Sequence, residues 1–239
     1  MKIKVTFSIN KQNIKAEFGE PTYKEGENAE YNRFWNNYQD NGKRTDYQHA
    51  FAGVGWNDKT YNPKYDMTVA SAYCMFQHNS ITDLSKKKLD FSKCANFRFA
   101  FEGSAAVALG VIDITNATSF IQMFSNAKKL QSIEKIITGG NTTAHYDSMF
   151  QYTYALENIV FEGDIPQPLN MGWSTNLSRD SLISAVNALS QNVKNKTATF
   201  SKVAVNKAFE TSEGANNGSA SKEWLELISN KGNWVIALV

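Results

Sequence analysis

The apolar positions of this chain repeat at a nearly fixed period. Five phenylalanines stand at intervals of 25, 25, 23 and 26 residues, and Ala or Met precedes each of them. An aromatic or small residue lies four positions before each phenylalanine, a spacing that predicts one turn of helix in every repeat. A period in the twenties is typical of solenoids, in which no single unit can bury its apolar face alone. The five positions are Phe51, Phe76, Phe101, Phe124 and Phe150.

The second half of each repeat has the alternation of a strand. Leu89 and Phe91 precede the next phenylalanine of the series by 12 and 10 residues, and Ile112 and Ile114 do the same one repeat later. An acidic residue separates the two members of each pair, so one side chain faces inward and the next faces outward. The pattern predicts an α/β solenoid of short strands and short helical turns, with about four to five repeats of 23 to 26 residues.

Three parts are predicted along the chain. Residues 1–44 hold a β-hairpin over 2–18, where apolar and polar residues alternate, and a capping helix over 29–40. Residues 45–165 are predicted to form the solenoid, and the repeat is absent from residues 166–239. We expect the two flanking parts to cover the open ends of the stack.

The last part reads as an αβ cap. Ser178 is a good N-cap for a first helix, and Ser221 is one for a later helix that ends near Gly232. A short strand is predicted at 197–200, and a final strand runs from Trp234 to the end of the chain.

One stretch of the solenoid resembles a known family. Residues 119–133 are similar to the repeats of BspA-like bacterial leucine-rich-repeat surface proteins, and the resemblance covers residues 45–165. The whole chain also resembles leucine-rich-repeat proteins encoded in prophages of Gram-positive gut bacteria, through residues 34–35, 44–47, 50–56 and 234–239. This resemblance implies a leucine-rich-repeat solenoid, exposed at a surface and used for adhesion or recognition. It implies no settled activity.

Composition and charge limit the partners and the cellular locations that are expected for this protein. A net charge of +2 gives no case for a nucleic-acid partner, and the basic run at 86–88 reads as a solvated turn. No stretch of about 18 apolar residues predicts a membrane span, and the first residues alternate charged with apolar side chains, unlike a signal peptide. We therefore expect this protein to be part of a phage virion, or to lie on a bacterial cell surface as part of a longer chain that carries an export signal.

The search for catalytic or metal-binding groups is mostly negative. Cys74 and Cys94 are predicted to be buried free thiols, and the three histidines occupy different positions of the repeat, so no metal or cofactor is expected. Acidic side chains on neighbouring repeats leave open a pair of the kind that glycoside hydrolases use. The candidate acids are Glu102, Asp113, Glu134, Glu162 and Asp164.

Recognition without catalysis is the function that the sequence favours. Trp56, Tyr61 and Tyr65 in the irregular first repeat, and Trp173 in a polar loop, are the candidate ligand-binding residues. An aromatic residue in such a loop is either a latch onto the body of the protein or a platform for a ligand. The expected partner is a surface protein or a glycan. The alternative is a structural virion or baseplate protein that forms a homo-oligomer or assembles with other virion proteins, and a glycan hydrolase is a third reading.

Overall fold

The computed structural model describes most of the chain from residue 44 onward and two strands before it. For those two strands the backbone alone is described. Within the described residues the elements are eleven β-strands and three α-helices. The described ranges are 3–9, 12–18, 44–53, 55–58, 61, 67–85, 89–139, 146, 148–209 and 221–239.

The chain winds into a β-solenoid of about five turns. Parallel bridges join residues one repeat apart, from Asp46 to Ser71, from Ser71 to Asn96 and from Asn96 to Ser119. The predicted solenoid architecture is therefore confirmed. Because each coil bonds only to its neighbours, the stack buries one continuous core along its length.

The strands of the coils are short and parallel. β4, β6, β7 and β8 form a sheet in that order, and β3 pairs with β5. In this sheet Ala108 pairs with Ser132, which in turn pairs with Asn158. The predicted strands are present at the expected phase of the repeat. The bounds are β3 (Met67–Thr68), β4 (Asp83–Leu84), β5 (Leu89–Asp90), β6 (Ala108–Asp113), β7 (Ser132–Ile137) and β8 (Asn158–Glu162).

A run of β-turns lies where a helical turn was predicted. In the coil of Phe101, the N–H of Ala100 donates to the carbonyl of Phe97, and the N–H of Glu102 donates to the carbonyl of Phe99. These are i to i−3 bonds, and among the described residues from 44 to 178 no α-helix is present. The prediction of one helical turn per repeat is therefore wrong.

The remaining N–H groups of this run bond to the next coil, which a helix would not permit. The N–H of Phe101 donates to the carbonyl of Met123, and the N–H of Phe99 donates to that of Ile121. Along this run, the N–H groups alternate between closing a turn and bonding to the neighbouring coil. Each of these backbone N–H groups therefore has a hydrogen-bond partner. The second residue before each phenylalanine takes a positive φ, as the third position of a type II turn requires. These residues are His49, Cys74, Phe99, Gln122 and Ser148.

The repeating phenylalanines form a ladder through the core. Consecutive rings are stacked, with centroids 5.3, 5.3, 5.6 and 5.5 Å apart. Neighbouring parallel strands lie about 4.8 Å apart, so a slightly offset stack fits this spacing. Each ring is almost fully buried. We call this column, which consists of Phe51, Phe76, Phe101, Phe124 and Phe150, the phenylalanine ladder.

The chain after the coils forms an αβ unit. Ser178 and Ser221 accept hydrogen bonds from the backbone of the first turns of α1 and α3, so both predicted N-caps are confirmed. The strands of this unit are parallel, in the order β11, β10, β9. The bounds are β9 (Leu169–Met171), α1 (Arg179–Ala188), β10 (Lys196–Phe200), α2 (Lys202–Ala208), α3 (Lys222–Ser229) and β11 (Trp234–Leu238).

Helix α1 lies along β8. It occupies the position that the strand of a further coil would take. Two serine hydroxyls of α1 accept the N–H groups that β8 directs outward, Ser181 from Ile159 and Ser184 from Phe161. An edge strand with unpaired N–H groups is a site for aggregation, and these hydroxyls satisfy the groups.

The first described residues are an antiparallel hairpin, as predicted. β1 (Ile3–Ile9) pairs with β2 (Gln12–Phe18) from one end to the other. The capping helix predicted at 29–40 lies outside the described residues. None of the helices in the described ranges has the length and apolarity needed to cross a bilayer.

Candidate functional site

The aromatic residues predicted in the first repeat lie in the core. Trp56 is 8% exposed and Tyr61 is 1% exposed. Both rings meet Phe51 edge to face, with centroids 5.0 and 4.7 Å from it. Burial raises the pKa of the Tyr61 phenol well above its usual value. We therefore do not include these two rings in the candidate site, and Tyr65 lies outside the described residues.

Trp173, by contrast, is an exposed ring with aromatic neighbours. Its side chain is 40% exposed, and that of Tyr154 is 38% exposed. The centroid of Trp173 lies 4.5 Å from that of Tyr152 and 6.0 Å from that of Tyr154. We call these three residues the aromatic shelf. Trp173 is held against the body of the protein and still presents ring surface to solvent.

The shelf is formed by the last coil and by the αβ unit that follows it. Tyr152 and Tyr154 follow the last ring of the phenylalanine ladder by two and four residues, at positions where the turns point outward. Tyr152 has a φ of 59°, in the left-handed region. Trp173 lies in the next passage of the chain, just after β9. The path of the chain from the last coil into the αβ unit therefore brings together rings that are about twenty residues apart.

Hydrogen bonds beneath the shelf fix its backbone. The hydroxyls of Thr153 and Ser174 are both buried and lie 2.8 Å apart. Thr153 also donates to the carbonyl of Phe150. The carbonyl of Tyr154 accepts a hydrogen bond of 2.9 Å from the side chain of Asn176. These contacts anchor the residues on either side of each exposed ring.

A small polar pocket adjoins Trp173. It has a volume of about 60 Å³ and is also lined by Ser148, Gln151 and Asn170. Asn170 Oδ1 accepts the N–H of Gly172, so the Nδ2 group of the amide is the one left to donate. Among the described residues, Asn170 Nδ2 and the side chains of Gln151 and Ser148 have no hydrogen-bond partner. The lining carries no charged side chain, so its chemistry is neutral and rich in donors and acceptors.

Sequence reasoning found one of the three rings. Tyr152 and Tyr154 were missed, as were the polar residues of the pocket. A signal was present, because the corresponding positions of the other four coils hold no Phe, Tyr or Trp. Two tyrosines at outward turn positions therefore depart from the other repeats, and core packing does not require them.

A second polar cluster lies on the same run of turns, two coils nearer the N-terminus. Glu102 Oε2 accepts hydrogen bonds from Gln77 Nε2 at 2.9 Å and meets His78 Nε2 at 3.0 Å. An aromatic row, from His49 through Tyr73 to Phe99, runs beside it. The members of the cluster bind one another, so it reads as a surface network that ties adjacent coils together.

The acids predicted for a hydrolase are mostly engaged in local hydrogen bonds. Asp113 accepts from the hydroxyl of Thr115 at 2.6 Å, and Glu162 accepts from Lys135. Asp164 accepts from Ser190 at 3.2 Å. Across the ranges that the structure describes, no three His, Cys, Asp or Glu side chains are grouped so that they could hold a metal ion.

A second cavity lies on the strand side of the described coils. It has a volume of about 230 Å³ and lies among β4, β5 and β6, with core side chains such as Phe91 and Phe101 in its wall. The segment between β4 and β5 continues into residues 86–88, which are outside the described ranges. We therefore base no site on this cavity.

Comparisons with known proteins return no match. None of the family models, curated protein sequences and solved structures compared with the chain matches it.

Proposed function

We propose that this protein is a non-enzymatic recognition protein that binds a surface protein or glycan through its solenoid face and loops. The observation that carries this proposal is the aromatic shelf, in which Trp173 is 40% exposed beside two tyrosines on a regular scaffold. Exposed tryptophan and tyrosine rings are frequent anchors of binding surfaces. A rigid shelf also loses little conformational entropy when a ligand binds.

The biological setting that we propose follows from the resemblance of the repeats. We infer a leucine-rich-repeat solenoid of the BspA-like type, carried on a phage virion or a bacterial cell surface. In that setting the αβ unit acts as a cap on the last coil. The contacts of α1 with Ile159 and Phe161 of β8 support this reading, because they satisfy an edge strand.

Retention on cells tests the recognition function. Fluorescently labelled protein is incubated with intact cells of several gut bacteria and with proteins and glycans extracted from their surfaces. Saturable retention that the Trp173→Ala variant loses is the expected result. The matched control is Val160→Ala, since Val160 is 47% exposed on β8 and is not one of the residues of the shelf or its pocket. Absence of saturable retention on every sample would contradict the proposed function.

A structural role in a virion is the second candidate, because β11 lies at the edge of its sheet and carries exposed apolar residues. Val235 is 59% exposed, and Val239, which follows the strand, is 67% exposed. An apolar edge strand is a surface on which another chain can pair. Light scattering across a range of protein concentrations tests this role. Assembly that Val235→Lys abolishes supports it, and a monomer at every concentration argues against it.

A further inference from the structure

We propose that the aromatic shelf and its pocket form a subsite for an uncharged sugar ring in an oligosaccharide. This inference rests on the proposed function and specifies the class of ligand. It depends on three features of the described residues: the tilt of the rings, the chemistry of the pocket, and the anchoring of both.

The rings meet at an angle. The plane of Trp173 is tilted by 55° from that of Tyr152 and by 79° from that of Tyr154. A flat aromatic ligand gains most from parallel rings, whereas the tilted rings here form a shelf with a raised side. A pyranose is thick and puckered. It can set the C–H groups of one face on the indole of Trp173 and an edge against a tyrosine.

The pocket supplies the polar half of the contact. Asn170 Nδ2 and the amide of Gln151 have no hydrogen-bond partner among the described residues, and the hydroxyl of Ser148 adds a group that both donates and accepts. A sugar hydroxyl also donates and accepts. Side chains that combine an apolar face with neighbouring amides therefore match a sugar, which combines a C–H face with a rim of hydroxyls.

Two other classes of ligand fit less well. An acidic polysaccharide or a phosphate would need a cation, and none of the four residues that line the pocket is charged. A proline-rich peptide docks on aromatic grooves, as a sugar does. That peptide has few donors, however, and it would leave the amides of Gln151 and Asn170 without partners in the complex.

Preorganisation makes binding by so small a site feasible. Thr153 and Ser174 bond to each other beneath the shelf, and Asn170 is oriented by the N–H of Gly172. The site therefore loses little conformational entropy when a ligand binds. This matters because one ring and a few hydrogen bonds supply the affinity.

The experiment uses the full chain and defined probes. Saturation-transfer NMR and tryptophan fluorescence are recorded with cellotetraose, mannotetraose and the tetramer of N-acetylglucosamine as neutral probes. Tetragalacturonate is the anionic probe, and a proline decamer is the peptide probe. The variants are Trp173→Ala, Trp173→Phe and Asn170→Ala, and Val160→Ala is the control. Circular dichroism of each variant establishes that it is folded.

The expected result is saturable binding of at least one neutral tetramer, with no binding of the anionic probe. Trp173→Ala should weaken it by about tenfold or more, Trp173→Phe by less, and Asn170→Ala by roughly fivefold. Val160→Ala should leave it unchanged. These ratios separate a sugar subsite from a ring that is merely structural, because Trp173→Phe keeps an aromatic face.

Other outcomes overturn the inference without affecting the proposed function. Binding of the proline decamer alone, or of no probe while saturable cell retention depends on Trp173, would assign the shelf to a protein ligand. Binding of a neutral tetramer that Trp173→Ala leaves intact would move the sugar site elsewhere. Loss of both glycan binding and cell retention would overturn the proposed function as well.

Discussion

The ring of Phe76 stacks on that of Phe101, with centroids 5.3 Å apart and planes only 9° from parallel. The two residues are 25 positions apart in the sequence, and each is almost completely buried. The coil that separates them is therefore one full turn of the solenoid. Because each ring has a neighbour above and below, a gap at one level weakens the packing of two others.

Replacing a central ring of the phenylalanine ladder should destabilise the whole chain. We expect Phe101→Ala to lower the free energy of unfolding by about 3 to 5 kcal/mol, since it removes a buried ring and leaves a cavity. Phe101→Leu should cost less because it fills part of that space. Denaturant unfolding measures both. Val160→Ala, on an exposed position of β8, is the control, and an equal loss in that variant would contradict the role of the ladder.

The repeat made this core predictable. Phe76 and Phe101 occupy the same position in successive repeats, so the winding of the solenoid is enough to stack them. The turn conformation was not predictable, because the spacing of Phe97 and Phe101 suits a helical turn and also a pair of successive β-turns. The difference lies in residues such as Phe99, which adopts a φ of 56° although it is not glycine. Its N–H bonds to the next coil, and that long-range contact is invisible in a local pattern.

The candidate site was predictable only in part, for a related reason. Trp173 stands out in a polar loop, but Tyr152 meets it through the winding of the chain, and no local spacing indicates that contact. Trp56 and Tyr61 also stand among polar residues, which predicted exposure. They are buried because both rings pack against Phe51, the first ring of the ladder, and cover it.

The serines of α1 should contribute to stability through their hydrogen bonds to the last coil. Ser181 Oγ accepts the N–H of Ile159 and donates to the carbonyl of Glu157, both at 2.9 Å. We expect Ser181→Ala to cost about 1 to 3 kcal/mol, because it leaves a buried N–H without a partner. Amide exchange at Ile159 should accelerate more than at sites in β6. Ser229→Ala removes a hydroxyl at the surface and should change stability by less than about 0.5 kcal/mol. Equal effects of the two substitutions would mean that the bond to β8 adds nothing.

Gly103 should not tolerate a side chain. Its φ is 61°, and a Cβ added there would lie 2.2 Å from Nδ1 of His78. We expect Gly103→Ala to lower the free energy of unfolding by about 1 to 3 kcal/mol and to displace the imidazole of His78 from Glu102. Thermal unfolding and the NMR shifts of the imidazole measure the two effects.

A double variant separates the two causes at Gly103. Adding His78→Ala removes the clash, so it should recover part of the loss and leave the cost of the left-handed backbone. Gly232→Ala is the control, because a Cβ there meets nothing within 4 Å. A Gly103→Ala variant as stable as the Gly232→Ala control would contradict the geometry described for this turn.

Alkaline pH should destabilise the fold through its buried thiols. Burial raises the pKa of Cys94 from an ordinary value of 9.0 to about 12, and it also raises the pKa of Cys74. Above pH 9 the unfolded chain therefore loses thiol protons that the folded chain still holds. Stability is unaffected below that pH and falls as the pH rises from about 9 toward 12, by up to about 1.4 kcal/mol per pH unit for the Cys94 thiol, and Cys74 contributes in the same direction.

Urea unfolding at intervals from pH 7.5 to 10 measures this slope before tyrosine ionisation contributes strongly. Cys94→Ala should flatten the slope, while a small cavity lowers the stability of that variant at every pH. Because both thiols are free and buried in the folded chain, a disulfide reagent should modify them slowly in buffer and rapidly in urea. A free energy of unfolding that stays constant up to pH 10, or an equal slope with and without Cys94, would show that the thiol is ionised as easily in the folded chain as in water.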